Sequence, residues 1–95
     1  MYVNIGIHHV RPGKEKELEA AMTKFGEAHR GHKGLITVFG WRDESTGAMI
    51  GTALWDSKED FLAARTDLAR GIEGINFEEL DFSSEGYRGE PFIWT

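Results

Sequence analysis

Four histidines and a dense set of aromatic side chains are the groups in this chain through which chemistry could pass. His8 and His9 are adjacent in a stretch that reads as a strand, so their rings point to opposite faces and cannot share one metal ion. His29 and His32 stand three apart at the end of a helical stretch. Gly31 and Gly34 end that helix, no acidic residue offers a third ligand at a suitable spacing, and no H-E-x-x-H motif is present, so no metal site is expected. His29 closes an apolar stripe and should point inward. There it is either a core histidine bonded to a backbone carbonyl or a proton-handling group lining a pocket. His32 reads as structural or solvated. Trp41, Trp55, Phe61, Tyr87 and Trp94 must mostly be core. Trp41 and Trp55 fall at strand ends, where walls for a flat aromatic ligand could form. The chain has no cysteine, hence no thiolate nucleophile and no disulfide. P-loop, G-x-G-x-x-G and G-x-S-x-G patterns are absent.

Periodicity gives the elements that must position these groups. From Tyr2 to Val10 the residues alternate, with Val3, Ile5 and Ile7 set against Tyr2, Asn4, Gly6 and His8, which predicts a strand. Arg11-Pro12-Gly13 breaks it, and from Lys14 onward Leu18, Ala21, Met22, Phe25 and His29 fall at helical spacing. Leu35 to Trp41, apolar and rich in β-branched and aromatic residues, predicts a second strand. A polar hairpin over 42–47 leads to a third, Ala48 to Trp55. Ser57 caps a second helix whose buried stripe is Phe61, Ala64, Leu68 and Ile72. The acidic segment from Ile75 to Gly86 reads as irregular, with a short strand or a helical turn as the alternative, and Tyr87 to Thr95 reads as a last strand, with Pro91 placing it at an edge or a bulge. The order βαββαβ predicts an α+β, ferredoxin-like fold: a four-stranded antiparallel sheet with both helices on one face.

Ninety-five residues suffice for one small domain, 1–95. Sixteen acidic against eleven basic residues leave a net charge of −5, which disfavours nucleic acid and anionic membranes as partners. No apolar run is long enough to span a bilayer, no signal peptide is apparent, and the lack of cysteine fits a reducing cytoplasm. Two helices cover one face of such a sheet. Yet Leu35, Phe39 and Trp41 oppose Ile36 and Val38, and Ile50 and Leu54 oppose Met49, Ala53 and Trp55, so both faces are apolar. An open apolar face invites a second sheet, and the expectation is a homodimer paired as an α+β barrel. The other way to cover that face is the 75–86 loop, which is rich in acids.

Three stretches resemble the antibiotic biosynthesis monooxygenase (ABM) family of dimeric α+β barrels: Val10-Arg11-Pro12-Gly13-Lys14-Glu15 before the first helix, Gly34-Leu35-Ile36 at the second strand, and Trp55-Asp56-Ser57-Lys58-Glu59-Asp60-Phe61 at the second helix. They lie in the family's order over the first two-thirds of the chain. The resemblance implies a homodimer and a monooxygenase-like activity on a small phenolic or polyketide-like aromatic, without metal, flavin or other cofactor. A non-catalytic dimeric small-molecule-binding protein is the alternative. The oxygenase branch matches at Trp55, but its asparagine and tyrosine positions carry Gly51 and Phe61 here. The haem-degrading branch's asparagine, tryptophan and axial histidine positions carry Gly6, Ala64 and Gly74.

The expected site lies between helices and sheet. Met22, Phe25 and His29 form one wall, Phe61 and Arg65 the other, and Trp55 stands at the strand end. His9 is placed on the helix-facing side with Val3, Ile5 and Ile7 because that side is the more apolar. His29 and His9 are then the candidate catalytic bases. The expected cavity, of roughly 300 Å³ or more, touches one of them together with Trp55.

Overall fold

The computed structural model describes residues 1–95. Strand β1 (Tyr2–Val10) is followed by helix α1 (Glu15–Glu27), β2 (Leu35–Arg42), β3 (Met49–Trp55), α2 (Lys58–Arg70), a 3-10 turn (Phe77–Glu79) and β4 (Asp81–Gly89). The sheet order is β2-β3-β1-β4, antiparallel throughout, as the split βαβ pattern requires. Pro12-Gly13 turns the chain into α1, with Gly13 at φ 80, and Glu15 and Glu17 place negative charge in the helix's first turn. At α2 the Ser57 hydroxyl accepts from the Asp60 backbone N–H at 3.1 Å, a cap that fixes where the helix begins.

The core between helices and sheet has two parts. One gathers Tyr2, Ala53, Trp55, Phe61, Ala64 and Leu68, with Leu35 and Val38 packed against it. The other gathers Leu18, Ala21, Met49 and Leu80.

Three expectations change. The last strand is Asp81–Gly89, not Tyr87–Thr95, and residues 90–95 form no strand. This edge strand is held by its backbone ladder to β1, which needs no apolar alternation, and Pro91, with no N–H to donate, lies just beyond the ladder's end. Leu35 belongs to the helix-side core, because a register shift between Leu35 and Thr37 moves it out of phase with Phe39 and Trp41. The helix-facing side of β1 is Tyr2, Asn4, Gly6 and His8. Val3, Ile5, Ile7 and His9 face the other way, in register with Leu54, Thr52 and Ile50 of β3. Alternation showed which residues share a face. Apolarity could not show which face the helices take, because both faces of this sheet are apolar.

On the helix-free face Phe39, Trp41, Phe82 and Tyr87 are exposed. Phe39 and Trp41 sit in register with Thr52 and Ile50, and so with Ile5 and Ile7 beyond them. Past β4, Phe92, Ile93 and Trp94 are also exposed, Phe92 at 95%.

Candidate functional site

Four glycines cross the sheet in register, one per strand: Gly40, Gly51, Gly6 and Gly86. None of them has a positive φ, so what glycine supplies here is the absence of a side chain, not a backbone conformation. A Cβ on Gly51 would meet the Met22 methyl at 3.6 Å and one on Gly6 would meet His8 Nε2 at 3.9 Å, both ordinary contacts. The row therefore leaves open space beneath α1. A cavity of about 620 Å³ occupies it. Asn4, Gly6, Gly51 and Ala53 form its floor and Met22, Phe25, Gly26 and His29 its roof. Strand β2 from Val38 to Arg42 makes the far wall, and Glu19, Glu27 and Arg30 stand at the rim. That volume lies within the range of small-molecule sites.

Two imidazoles line the cavity. His29, at 1% exposure, donates its Nδ1–H to the Phe25 carbonyl at 2.8 Å, which leaves Nε2 as a lone pair with no partner in the chain. Desolvation holds its pKa below the ordinary 6.5, opposed by the Phe25 carbonyl and assisted by the positive potential of His32. The ring is neutral at pH 7. Linkage follows from this: the unfolded chain takes up a proton as pH falls through about 6.5, while the folded ring resists it, so stability declines across that window until the folded ring also protonates. Thermal unfolding between pH 7.5 and 5.5 should show a steeper loss for the wild type than for His29→Leu. Equal slopes would mean that His29 titrates alike in both states.

The second imidazole is His8, which sequence reasoning passed over. Its Nδ1 lies 2.7 Å from Asp81 Oδ2, and its ring stacks on Phe77 at 5.3 Å. The signal for it was present in the strand's alternation, since His8 shares parity with Tyr2, whose ring packs on Phe61 5.6 Å away.

The other expected site residues fall elsewhere. His9 faces away from the helices: its Nε2 is 2.8 Å from Glu85 Oε1, its ring lies against Phe82, and it does not line the cavity. The His9 N–H and the Tyr87 hydroxyl together hold the Glu85 carboxyl below its usual range. Trp55 is completely buried under His29, 5.9 Å between ring centroids, and packs on Phe61 at 6.0 Å; neither Trp55 nor Phe61 reaches the cavity. Both are core because the stripe of α2 and the end of β3 pack directly on each other. Arg65 is exposed and also lies outside it. Met22, Phe25 and His29 line the cavity. His32 ties the helices together, its Nδ1 3.1 Å from the His29 carbonyl and its Nε2 3.4 Å from Asp67. No group of three His, Asp or Glu side chains converges as a metal-binding cluster. No helix is long and apolar enough to cross a membrane.

No family model matches the chain, and no curated protein matches it closely in sequence. Solved structures do. A candidate antibiotic biosynthesis monooxygenase from Deinococcus radiodurans superposes with a TM-score of 0.81 at 14% identity, over 100% of this chain and 96% of that one. A variant of MhuD with two manganese protoporphyrin IX molecules bound per active site gives 0.80 at 18%, over 100% and 98%. SnoaB, a cofactor-independent oxygenase from Streptomyces nogalater, gives 0.73 at 13%, over 98% and 94%. This chain has the ferredoxin-like fold of the proteins named antibiotic biosynthesis monooxygenases.

Proposed function

We propose that residues 1–95 act as one cytoplasmic, homodimeric, cofactor-independent monooxygenase-like unit. It binds a small phenolic or polyketide-like aromatic in the helix–sheet cavity of each copy. The observation that carries this reading is the cavity itself: a flat glycine floor, an apolar roof of Met22 and Phe25, and two imidazoles at its wall. An aromatic ring gains its burial from the floor and roof, and a phenolic O–H finds an acceptor at an imidazole. Without an external reductant the substrate supplies all the electrons. A ring CH2 activated by the ionised phenol becomes C=O, one oxygen atom of O2 stays in the product, and the other leaves as water with both hydrogens.

Homodimerisation rests on the helix-free face. Phe39, Trp41, Phe82 and Tyr87 stay exposed on it, and the apolar segment Phe92-Ile93-Trp94 extends beyond β4. A second copy presents the same face and the same segment, which is what a two-fold interface requires.

The second reading, a non-catalytic binding protein, is favoured by Gly51 and Phe61. Where the oxygenase branch carries polar groups, Gly51 has no side chain and Phe61 is sealed in the core. The donor set of the haem-degrading branch is not present at its own positions. The positions that the haem-degrading branch uses carry Gly6, Ala64 and Gly74, and Gly74, at φ 82, has no side chain to offer a metal.

Absorption spectroscopy of the purified protein, followed by oxygen uptake with hydroquinones and anthrones, separates these readings. Uptake by a colourless protein is the expected result. Saturable aromatic binding without uptake would leave the binding protein, and a Soret band would overturn the cofactor-free assignment.

A further inference from the structure

Asp81 is 6% exposed, and its carboxylate Oδ2 sits 2.7 Å from Nδ1 of His8. A buried carboxylate needs a donor, and the Nδ1–H of His8 supplies one. That bond fixes the tautomer: the proton stays on Nδ1, and Nε2 carries the free lone pair. Phe77 stacks on the ring at 24° between planes, a second contact that favours this orientation. Nε2 makes no hydrogen bond within the chain. It stands over Gly6, 3.9 Å from where a Cβ on that glycine would be, at the edge of the cavity floor. Carboxylate, oriented imidazole and open floor thus stand in line, with the Nε2 lone pair of His8 beside the glycine row on which an aromatic ring would lie.

His29 is not equivalent. Its Nδ1–H is spent on a neutral carbonyl, and its ring is enclosed against Trp55 and Phe25. Desolvation with no carboxylate behind it opposes the charged form. An imidazolium formed at His8 meets the Asp81 charge directly, which is the arrangement that stabilises a proton taken from a substrate.

We propose that His8, positioned by Asp81, is the proton acceptor of this cavity and that its substrate is a planar aromatic bearing an acidic O–H, bound across the glycine row. This rests on the reading of the cavity as an aromatic-binding site. In the step, the substrate O–H bond breaks, its proton joins His8 Nε2, the electron pair stays on oxygen as phenolate, and the Nδ1–H remains donated to Asp81.

A nitrophenol whose phenolate absorbs apart from its neutral form tests this without any turnover. Binding is followed by quenching of tryptophan fluorescence, and ionisation by the phenolate band, at a pH below the free phenol's own pKa. The wild type should bind the probe and show the phenolate band. At saturating probe His8→Gln should carry it as the neutral phenol and lose the band, with affinity lowered by the missing acceptor. Asp81→Asn should weaken the band, because the amide can donate to Nδ1 and move the ring proton to Nε2. Near-ultraviolet circular dichroism checks that each variant is folded, and if Asp81→Asn unfolds, His8→Gln alone decides. Binding with the phenolate band unchanged in His8→Gln, or a wild type that binds only the neutral phenol, would overturn the role of His8 while leaving the cavity's function standing. No saturable binding to the wild type would overturn the cavity reading and this proposal with it.

Discussion

Placing a charge on the helix-free face should convert the proposed dimer to a monomer. Phe39 is exposed at 52% in the single chain and sits in register with Thr52 and, beyond it, Ile5. In a two-fold interface Phe39→Asp enters twice. At about 2 kcal/mol of uncompensated burial per carboxylate, the dissociation constant rises roughly a thousandfold. Sedimentation of the wild type at micromolar concentration should give twice the chain mass, and the variant at the same concentration should give the chain mass with its helical circular dichroism intact. A wild type that sediments as a monomer across that range would remove the dimer. Leu35→Asp should behave differently, by unfolding the chain, because Leu35 packs in the helix-side core.

Filling the glycine floor should weaken aromatic binding and leave the fold intact or firmer. Gly51 lies at the centre of the row, with room for a Cβ but with the Met22 methyl 3.6 Å from it, so the two methyls of a valine must project into the cavity. Glycine inside a strand costs about 0.5–1 kcal/mol, and a β-branched residue suits the pleat. Gly51→Val should therefore melt no lower than the wild type, by a margin of up to a few degrees, on the scale of about 4–8 °C per kcal/mol for a domain of this size. Affinity for a phenol should fall at least about tenfold, since even one misplaced methylene in a fitted pocket is worth about 1–3 kcal/mol. Unchanged affinity in a folded Gly51→Val would place the ligand elsewhere.

Element order and most boundaries were legible in the sequence because they depend on local signals: period two in Tyr2–Val10, the Pro12-Gly13 break, the Ser57 cap. Strand β4 was misplaced because its side chains carry no alternation to read; Asp81–Gly89 is defined by pairing with β1, which is long-range. The lining of the candidate cavity was legible in part. Met22, Phe25 and His29 followed from a helical stripe, which points to one side only. The choice between His8 and His9 turned on which face of β1 meets the helices, and two apolar faces gave no answer. Trp55 marked the right region but packs beneath it. The glycine row is invisible in one dimension, because Gly6, Gly40, Gly51 and Gly86 become neighbours only once the registers are set. Asp81 stood in a segment read as irregular, so nothing connected it to His8, seventy-three residues away.

The most direct test of the helix–sheet cavity as the ligand site is an amide chemical-shift titration of the uniformly labelled protein with a naphthol. The expected result is a saturable shift centred on Asn4, Gly6, Met22, Phe25, His29 and Gly51, the residues of floor and roof. Shifts centred on Phe82 and Tyr87 of the opposite face, or linear shifts that never saturate, would contradict it.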